Sequence, residues 1–158
     1  MATSETTDPR AELEAGAARS AYRAMNQFDN ATAALELDPQ LRELIRVRAS
    51  MLNGCAYCVD MHTKDARAKG ETEQRLFAVS TWHEAPFFSP AERAALALTD
   101  ALTLLAGNPL PDAVVAGAER ELGAEGVAAA TWIIVTINAW NRVAIASHLQ
   151  AGDYEPDA

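Results

Sequence analysis

Two cysteines, Cys55 and Cys58, stand in the spacing C-x-x-C, and His62 follows four residues later. On a helix, residues three or four apart are neighbours, so both thiols and the imidazole fall on one stripe within two turns. The Cα separation expected for such a pair, about 5–6 Å, is within disulfide range. Thiol chemistry runs through the thiolate, and an ordinary thiol with a pKa of ~8.5 is only a few per cent ionised at neutral pH. Two local effects would lower that value. The positive end of the helix dipole acts most on Cys55, and His62, as proton acceptor, acts most directly on Cys58. These pointers favour different thiols as the first nucleophile, and position alone leaves both open. Glu43 lies twelve residues before Cys55. Asn53-Gly54 between them folds one helix back on the next, so that carboxylate can approach the thiols and relay a proton.

Other readings of the same residues are blander. The cysteines could be small buried hydrophobes. A zinc site takes four ligands, whereas Cys55, Cys58 and His62 supply three, and adding Glu43 would mimic a catalytic metal centre. The redox reading is preferred, with no metal and no bound cofactor. Two thiols this close cannot join distant parts of a fold, which excludes a secreted disulfide scaffold. His83 and His148 have no cysteine or carboxylate pattern around them and read as surface or structural residues. Asp60 is expected to face away from the thiols and support the first turn of its helix. Arg42, Arg46 and Arg48 read as solvating or salt-bridging the preceding helix, with an electropositive contribution to thiolate stability as the alternative.

The elements that must position this stripe read as helices throughout. A polar tail, 1–8, precedes an Ala-rich helix from Pro9, with Leu13, Ala17, Ala21, Ala24 and Phe28 at helical spacing; it runs toward Leu37, with a break expected near Asp29-Asn30. Asp38-Pro39 is a helix start, an N-cap acceptor followed by proline, and Asn53-Gly54 is its stop. Cys55 or Ala56 opens the next helix, which runs to Lys69 with Gly70 as its stop. Glu71 to Ser80 is short and helical. Ser89-Pro90-Ala91-Glu92 is a capping box opening a helix to about Ala106. Pro111 starts another that closes near Leu122-Gly123, and Glu125 to about Gln150 is the longest and most apolar. Trp132 and Trp140 on it are expected to share one buried face, or to lie at an interface between subunits. Trp82, Phe87 and Phe88 read as core or lid aromatics near the thiols. The expectation is an all-α domain of six to seven helices spanning 9–150, with a second flexible tail at 151–158.

Composition sets the outer bounds. The chain has 158 residues, 49% of them hydrophobic and 22% charged, which is globular rather than disordered composition. With 13 Lys and Arg against 22 Asp and Glu, the net charge of −9 disfavours both nucleic acid and an anionic membrane as partners. Met1 to Arg10 has no basic stretch followed by an apolar run, and the window Val127 to Ile145 is interrupted by Thr131, Thr136, Asn138, Asn141 and Arg142. A cytoplasmic protein with no membrane partner is expected.

The string Asn53-Gly54-Cys55-Ala56-Tyr57-Cys58-Val59-Asp60-Met61-His62 resembles the signature of the alkylhydroperoxidase D-like (AhpD-like) group within the carboxymuconolactone decarboxylase superfamily. The similarity takes in Glu43 upstream and, downstream, Gly70-Glu71, the segment Trp82 to Phe88, Glu92 to Leu98 and Ile137 to Arg142, roughly residues 20 to 145. The resemblance implies an all-helical fold and a homo-trimer or hexamer. It further implies that Cys58 is the peroxidatic cysteine, Cys55 the partner that condenses with it to a disulfide, His62 the base and Glu43 the relay carboxylate. The implied partners are a small hydroperoxide substrate and a dithiol-bearing electron donor protein, lipoyl or thioredoxin-like. One position departs from the best-studied type, which carries a second histidine where this chain has Tyr57. A tyrosine can donate a hydrogen bond, and Tyr57 is read as substrate-binding, but it is no base at neutral pH.

The resulting expectation is a thiol-dependent peroxidase. Its nearest rival is a disulfide reductase acting on lipoyl or protein disulfides, toward which Tyr57 tilts. A lactone-acid decarboxylase would not rely on a C-x-x-C pair, and a non-catalytic assembly module would carry no reactive thiol.

Overall fold

A computed structural model describes residues 18–156. The polar tail at 1–8 and the start of the first helix, with Leu13 and Ala17, lie outside the described residues. Among the described residues there is no strand, and the elements follow as α1 (Ala18–Ala33), α2 (Pro39–Asn53), α3 (Ala56–Ala68), α4 (Glu73–Ala78), a 3-10 turn (Val79–Thr81), α5 (Pro90–Thr103) and α6 (Asp112–Ala146).

Local chemistry sets most helix ends. Asp38 accepts from the Leu41 amide at 2.8 Å, with Pro39 as the first helical residue. Gly54 ends α2 in the left-handed region, φ 70° and ψ 28°, where a side chain would be strained. Ser89 and Glu92 form the expected reciprocal capping box. Inside α6, Gly123 (φ 69°, ψ 171°) breaks the helical path, so the two helices read from the sequence meet there end to end. The break expected at Asp29-Asn30 does not occur. α1 continues through it and ends at Ala33 instead of Leu37, where the Arg42 guanidinium takes the carbonyls of Ala33 and Leu35, each at 2.6 Å. Local polar residues suggested a stop, but the long-range arginine supplies it.

α2 is the central helix. Leu41 and Ile45 pack with Leu98 of α5 and Ile133 and Ile134 of α6. Leu44 and Val47 meet Ala66, Leu76, Val79, Trp82, Phe88 and Leu96 on the other side. Arg48 of the same helix is buried and makes a two-pronged ion pair with Asp100 of α5, 2.6 Å and 2.9 Å, while its Nη1 donates to the Ser80 carbonyl at 3.1 Å. Trp82 Nε1 also donates to Asp100. Arg48 therefore salt-bridges inside the protein and does not solvate the helix.

α6 is long and apolar enough to cross a membrane by length and composition alone. In this fold Ala130, Ile133, Ile134 and Ile137 bury one side of it against the other helices. Trp132 corrects the expectation of a shared tryptophan face: it is 51% exposed and meets Phe28 edge-on, whereas Trp140 is half-buried against Tyr22. Eight residues advance a helix by about 80° beyond two full turns, enough to put one ring outside. The segment 151–156, expected as a free tail, is held on α3, where Lys64 Nζ donates to the carbonyls of Gly152 (2.8 Å) and Tyr154 (2.7 Å).

Candidate active site

Cys55 is the N-cap of α3, and its Sγ accepts from the Cys58 amide at 3.3 Å. The two Cα atoms are 5.4 Å apart and the sulfurs lie at disulfide distance. This geometry follows from the reversal at Gly54, after which the Cys55 amide donates to the Ser50 carbonyl at 3.0 Å. A buried polar cluster clamps the turn from behind. Asn53 Nδ2 donates to Asn138 Oδ1 (3.0 Å) and Asn141 Oδ1 (2.9 Å), and Asn141 Nδ2 donates to Ser50 Oγ (3.0 Å). Asn141 is fully buried, and unsatisfied amides at such a site would be costly. Sequence reasoning found no role for it; the structure makes it a support of the cysteine turn.

The other half of the site comes from α2. Glu43 is buried, and its Oε2 lies 3.0 Å from His62 Nδ1. Its Oε1 is met by Arg46 at 3.2 Å and Lys69 at 3.1 Å. Burial alone would raise the Glu43 carboxyl, but the His62 hydrogen bond and the charges of His62, Arg46 and Lys69 outweigh it and hold the group down at about 2. An ionised carboxylate only accepts, so His62 keeps a hydrogen on Nδ1 toward Glu43, and Nε2 is the nitrogen left to exchange a proton.

A depressed carboxyl has a consequence for stability. The Glu43 contribution is fully present above its ordinary value of 4.5 and is lost as pH falls through about 2. Wild type is therefore expected to lose about 3 kcal/mol from this group across that window. Glu43→Gln should be less stable at pH 7 and should lack that part of the acid loss. Urea unfolding of both proteins at pH 7 and pH 3, where about 2 kcal/mol of that loss should already show, checks it, and parallel losses in the two would refute the assignment.

Cys58 and His62 both open on a cavity of about 300 Å³, whereas Cys55 does not line it. Tyr57 and Met61 continue the α3 wall; Tyr22, Asn26 and Asp29 of α1 face them, with Arg46 of α2 at one side. Ile137, Trp140, Val143 and Ala144 of α6, with Leu149, make the remaining wall apolar. The sequence left open which thiol meets a reactant, and here the one on the cavity is Cys58. Both thiols are buried in one cluster with Ala49, Ile137 and Ala144, and only Cys58 reaches the cavity wall.

Some expectations do not reach this site. Trp82 and Phe88 are core, Phe87 is partly exposed, and none of the three lines the cavity. His83 stacks on Trp82 at the surface and His148 is exposed just after α6. Asp60 faces away, as expected, but binds Lys64 and the Gly152 amide. Beside Asn141 and the α1 residues of the cavity, two charged neighbours of the Glu43–His62 pair were missed. Lys69 reaches Glu43, and Asp65 Oδ2 lies 3.8 Å from His62 Nδ1. Their spacing from His62, i+7 and i+3, is a signal that was available.

Residues 19–101 match the profile of the carboxymuconolactone decarboxylase family. The chain is 41% identical over 122 residues to the uncharacterized protein YdfG of Bacillus subtilis (strain 168), covering 77% of this chain and 83% of that one. A crystal structure from Agrobacterium tumefaciens superposes with a TM-score of 0.85 at 34% identity, covering 90% of this chain and 97% of that one. It is of a protein of unknown function, ATU0492, which has been suggested to be the antioxidant defence protein AhpD. The debrominase Bmp8 shares the fold at 21% identity, with a TM-score of 0.77 over 85% of this chain and 73% of its own.

Proposed function

The chain belongs to the carboxymuconolactone decarboxylase family, and from that premise we propose that it is a thiol-dependent peroxidase acting on small organic hydroperoxides. The family and the cysteine pair at disulfide distance fit a redox role. The observation that carries the finer reading is the order of groups at the cavity: Cys58 and His62 on its wall, Cys55 behind Cys58, and Glu43 behind His62.

In the proposed cycle His62 accepts the Cys58 proton, with Glu43 holding the ring and stabilising the imidazolium. The thiolate attacks the terminal oxygen of ROOH and the O–O bond breaks. The departing alkoxide takes the proton from His62 and leaves as ROH, and Cys58 becomes a sulfenic acid. The Cys55 thiol then attacks the Cys58 sulfur, releasing water and forming the disulfide. An external dithiol, lipoyl or thioredoxin-like, reduces the pair and is itself oxidised to a disulfide. Up to the disulfide these protein groups carry the cycle, the electrons for its reduction come from the external dithiol, and a cytoplasmic setting would keep the thiols reduced between turnovers. We assign Tyr57 to substrate contact from its place on the cavity wall. A homo-trimer or hexamer would cover exposed Trp132 and Val135 of α6.

Stopped-flow mixing of the reduced protein with cumene hydroperoxide tests this reading. Two thiols should disappear in one fast phase. A second reading, a reductase of lipoyl or protein disulfides, is favoured by Tyr57 standing where a second base would serve peroxide cleavage. Thiols inert to the peroxide but quick to exchange with oxidised lipoamide would establish that reading in place of the first.

A further inference from the structure

His62 Nδ1 faces two carboxylates. Glu43 Oε2 is at 3.0 Å and Asp65 Oδ2, one turn further along α3, is at 3.8 Å. Asp65 is itself held from outside the helix bundle, because its other oxygen, Oδ1, accepts from the Tyr154 phenol at 2.7 Å. Tyr154 is delivered there by the C-terminal segment. Lys64 Nζ, anchored on Asp60 at 3.1 Å, donates to the carbonyls of Gly152 and Tyr154, and the Gly152 amide donates to Asp60 Oδ2 at 3.1 Å. Four hydrogen bonds thus fasten residues 152–154 to the helix that bears the cysteines.

We propose that Asp65 and Tyr154 are a second positioning arm on His62, in which the phenol fixes one Asp65 oxygen so that the other stays directed at Nδ1. The inference rests on the reading of His62 as the base for Cys58. Its physical content is electrostatic. The thiolate of Cys58 forms as His62 becomes an imidazolium, and a carboxylate within about 4–6 Å favours that charged ring. Glu43 shares its charge with Arg46 and Lys69, whereas Asp65 adds a second negative group on the same ring nitrogen. The other charged or titratable groups around the imidazole are Asp29 and Tyr22 from α1 across the cavity and Tyr57 and Cys58 on α3. An arm built from the C-terminal segment couples the seating of that segment to thiol reactivity. Tyr154 acts only through Asp65, and Asp65 only through His62, so both are positioning residues.

The test is the pH dependence of Cys58 alkylation by iodoacetamide in the reduced, full-length protein, resolved by peptide mass spectrometry. Asp65→Asn should move the midpoint upward by about one pH unit, since the opposite charge is removed while the shape is kept. Tyr154→Phe should move it in the same direction by less, and the double variant no further than Asp65→Asn alone, because the two act in series. Lys64→Met, which unclasps the backbone of the segment while leaving the Asp65 and Tyr154 side chains unchanged, should reproduce Tyr154→Phe. A wild-type midpoint in Asp65→Asn would overturn the arm, and so would a Tyr154→Phe shift that adds in full. Altered thermal stability with an unmoved midpoint would count against it equally. His62→Gln separates the two claims: if it keeps the wild-type midpoint, the base role of His62 fails, and the arm with it.

Discussion

Cys58→Ser is expected to abolish peroxide-driven thiol oxidation, while Cys55→Ser is expected to keep the first chemical step and strand a sulfenic acid on Cys58. The asymmetry follows from placement. Both sulfurs are buried, and the helix dipole acts more on Cys55, the N-cap of α3, so neither effect selects Cys58. Only Cys58 lines the cavity that also receives His62. A serine hydroxyl at 58 ionises far above neutral pH, and its oxygen, unlike sulfur, cannot be oxidised by the peroxide to a sulfenic acid. Removing Cys55 takes away the condensing partner but neither the attacking thiol nor its base, so one fast turnover remains. His62→Gln should fall between the two, slowing the first step by about 10²–10⁴-fold, the usual worth of a positioned base. Trapping with dimedone followed by mass spectrometry decides the matter. Sulfenic acid on Cys55 in the Cys58→Ser variant, formed at the wild-type rate, would reverse the assignment.

The largest effect on stability is expected from Asp100→Ala. Arg48 is buried beneath the 3-10 turn, and its charge is matched by both Asp100 oxygens, with the Ser80 carbonyl as a further acceptor. Truncating the carboxylate leaves a guanidinium in the core without its counter-charge, and also strips the acceptor from Trp82 Nε1. Breaking a buried pair from one side costs about 3–5 kcal/mol. For a chain of this size that corresponds to a fall in Tm of roughly 10 °C or more. The double replacement Arg48→Met with Asp100→Leu should recover much of the loss, because an apolar pair removes both charges together. Calorimetric melting of the three variants measures this. A single-variant loss below 1 kcal/mol would mean that water or a neighbouring group already satisfies Arg48.

Helix limits were readable wherever a short motif acts on its own backbone. Asp38-Pro39, the Ser89–Glu92 capping box and the left-handed Gly54 each satisfy or reverse amides within three or four residues, so the local text contains the whole cause. Trp132 and the end of α1 were misplaced because their cause lies elsewhere in the chain: a ring turned out of register, and an arginine nine residues ahead.

The same division runs through the site. Spacing alone put Cys55, Cys58 and His62 on one stripe, because i, i+3 and i+4 neighbours are a property of any helix. Glu43 was reachable because one glycine reversal separates two adjacent helices. Which sulfur meets the cavity depended on α6 and α1 closing over α3, and pairings such as Asn53 with Asn141, 88 residues away, leave no mark in local periodicity. The seating of Tyr154 on Asp65, 89 residues apart, is of the same kind. Short-range geometry was enough to place most of the helices and to bring the two cysteines and His62 within two turns of one another. Tertiary packing alone decided which thiol lines the cavity, the ionised state of Glu43 and the supports behind them, since burial and opposed charges exist only once distant helices are in contact.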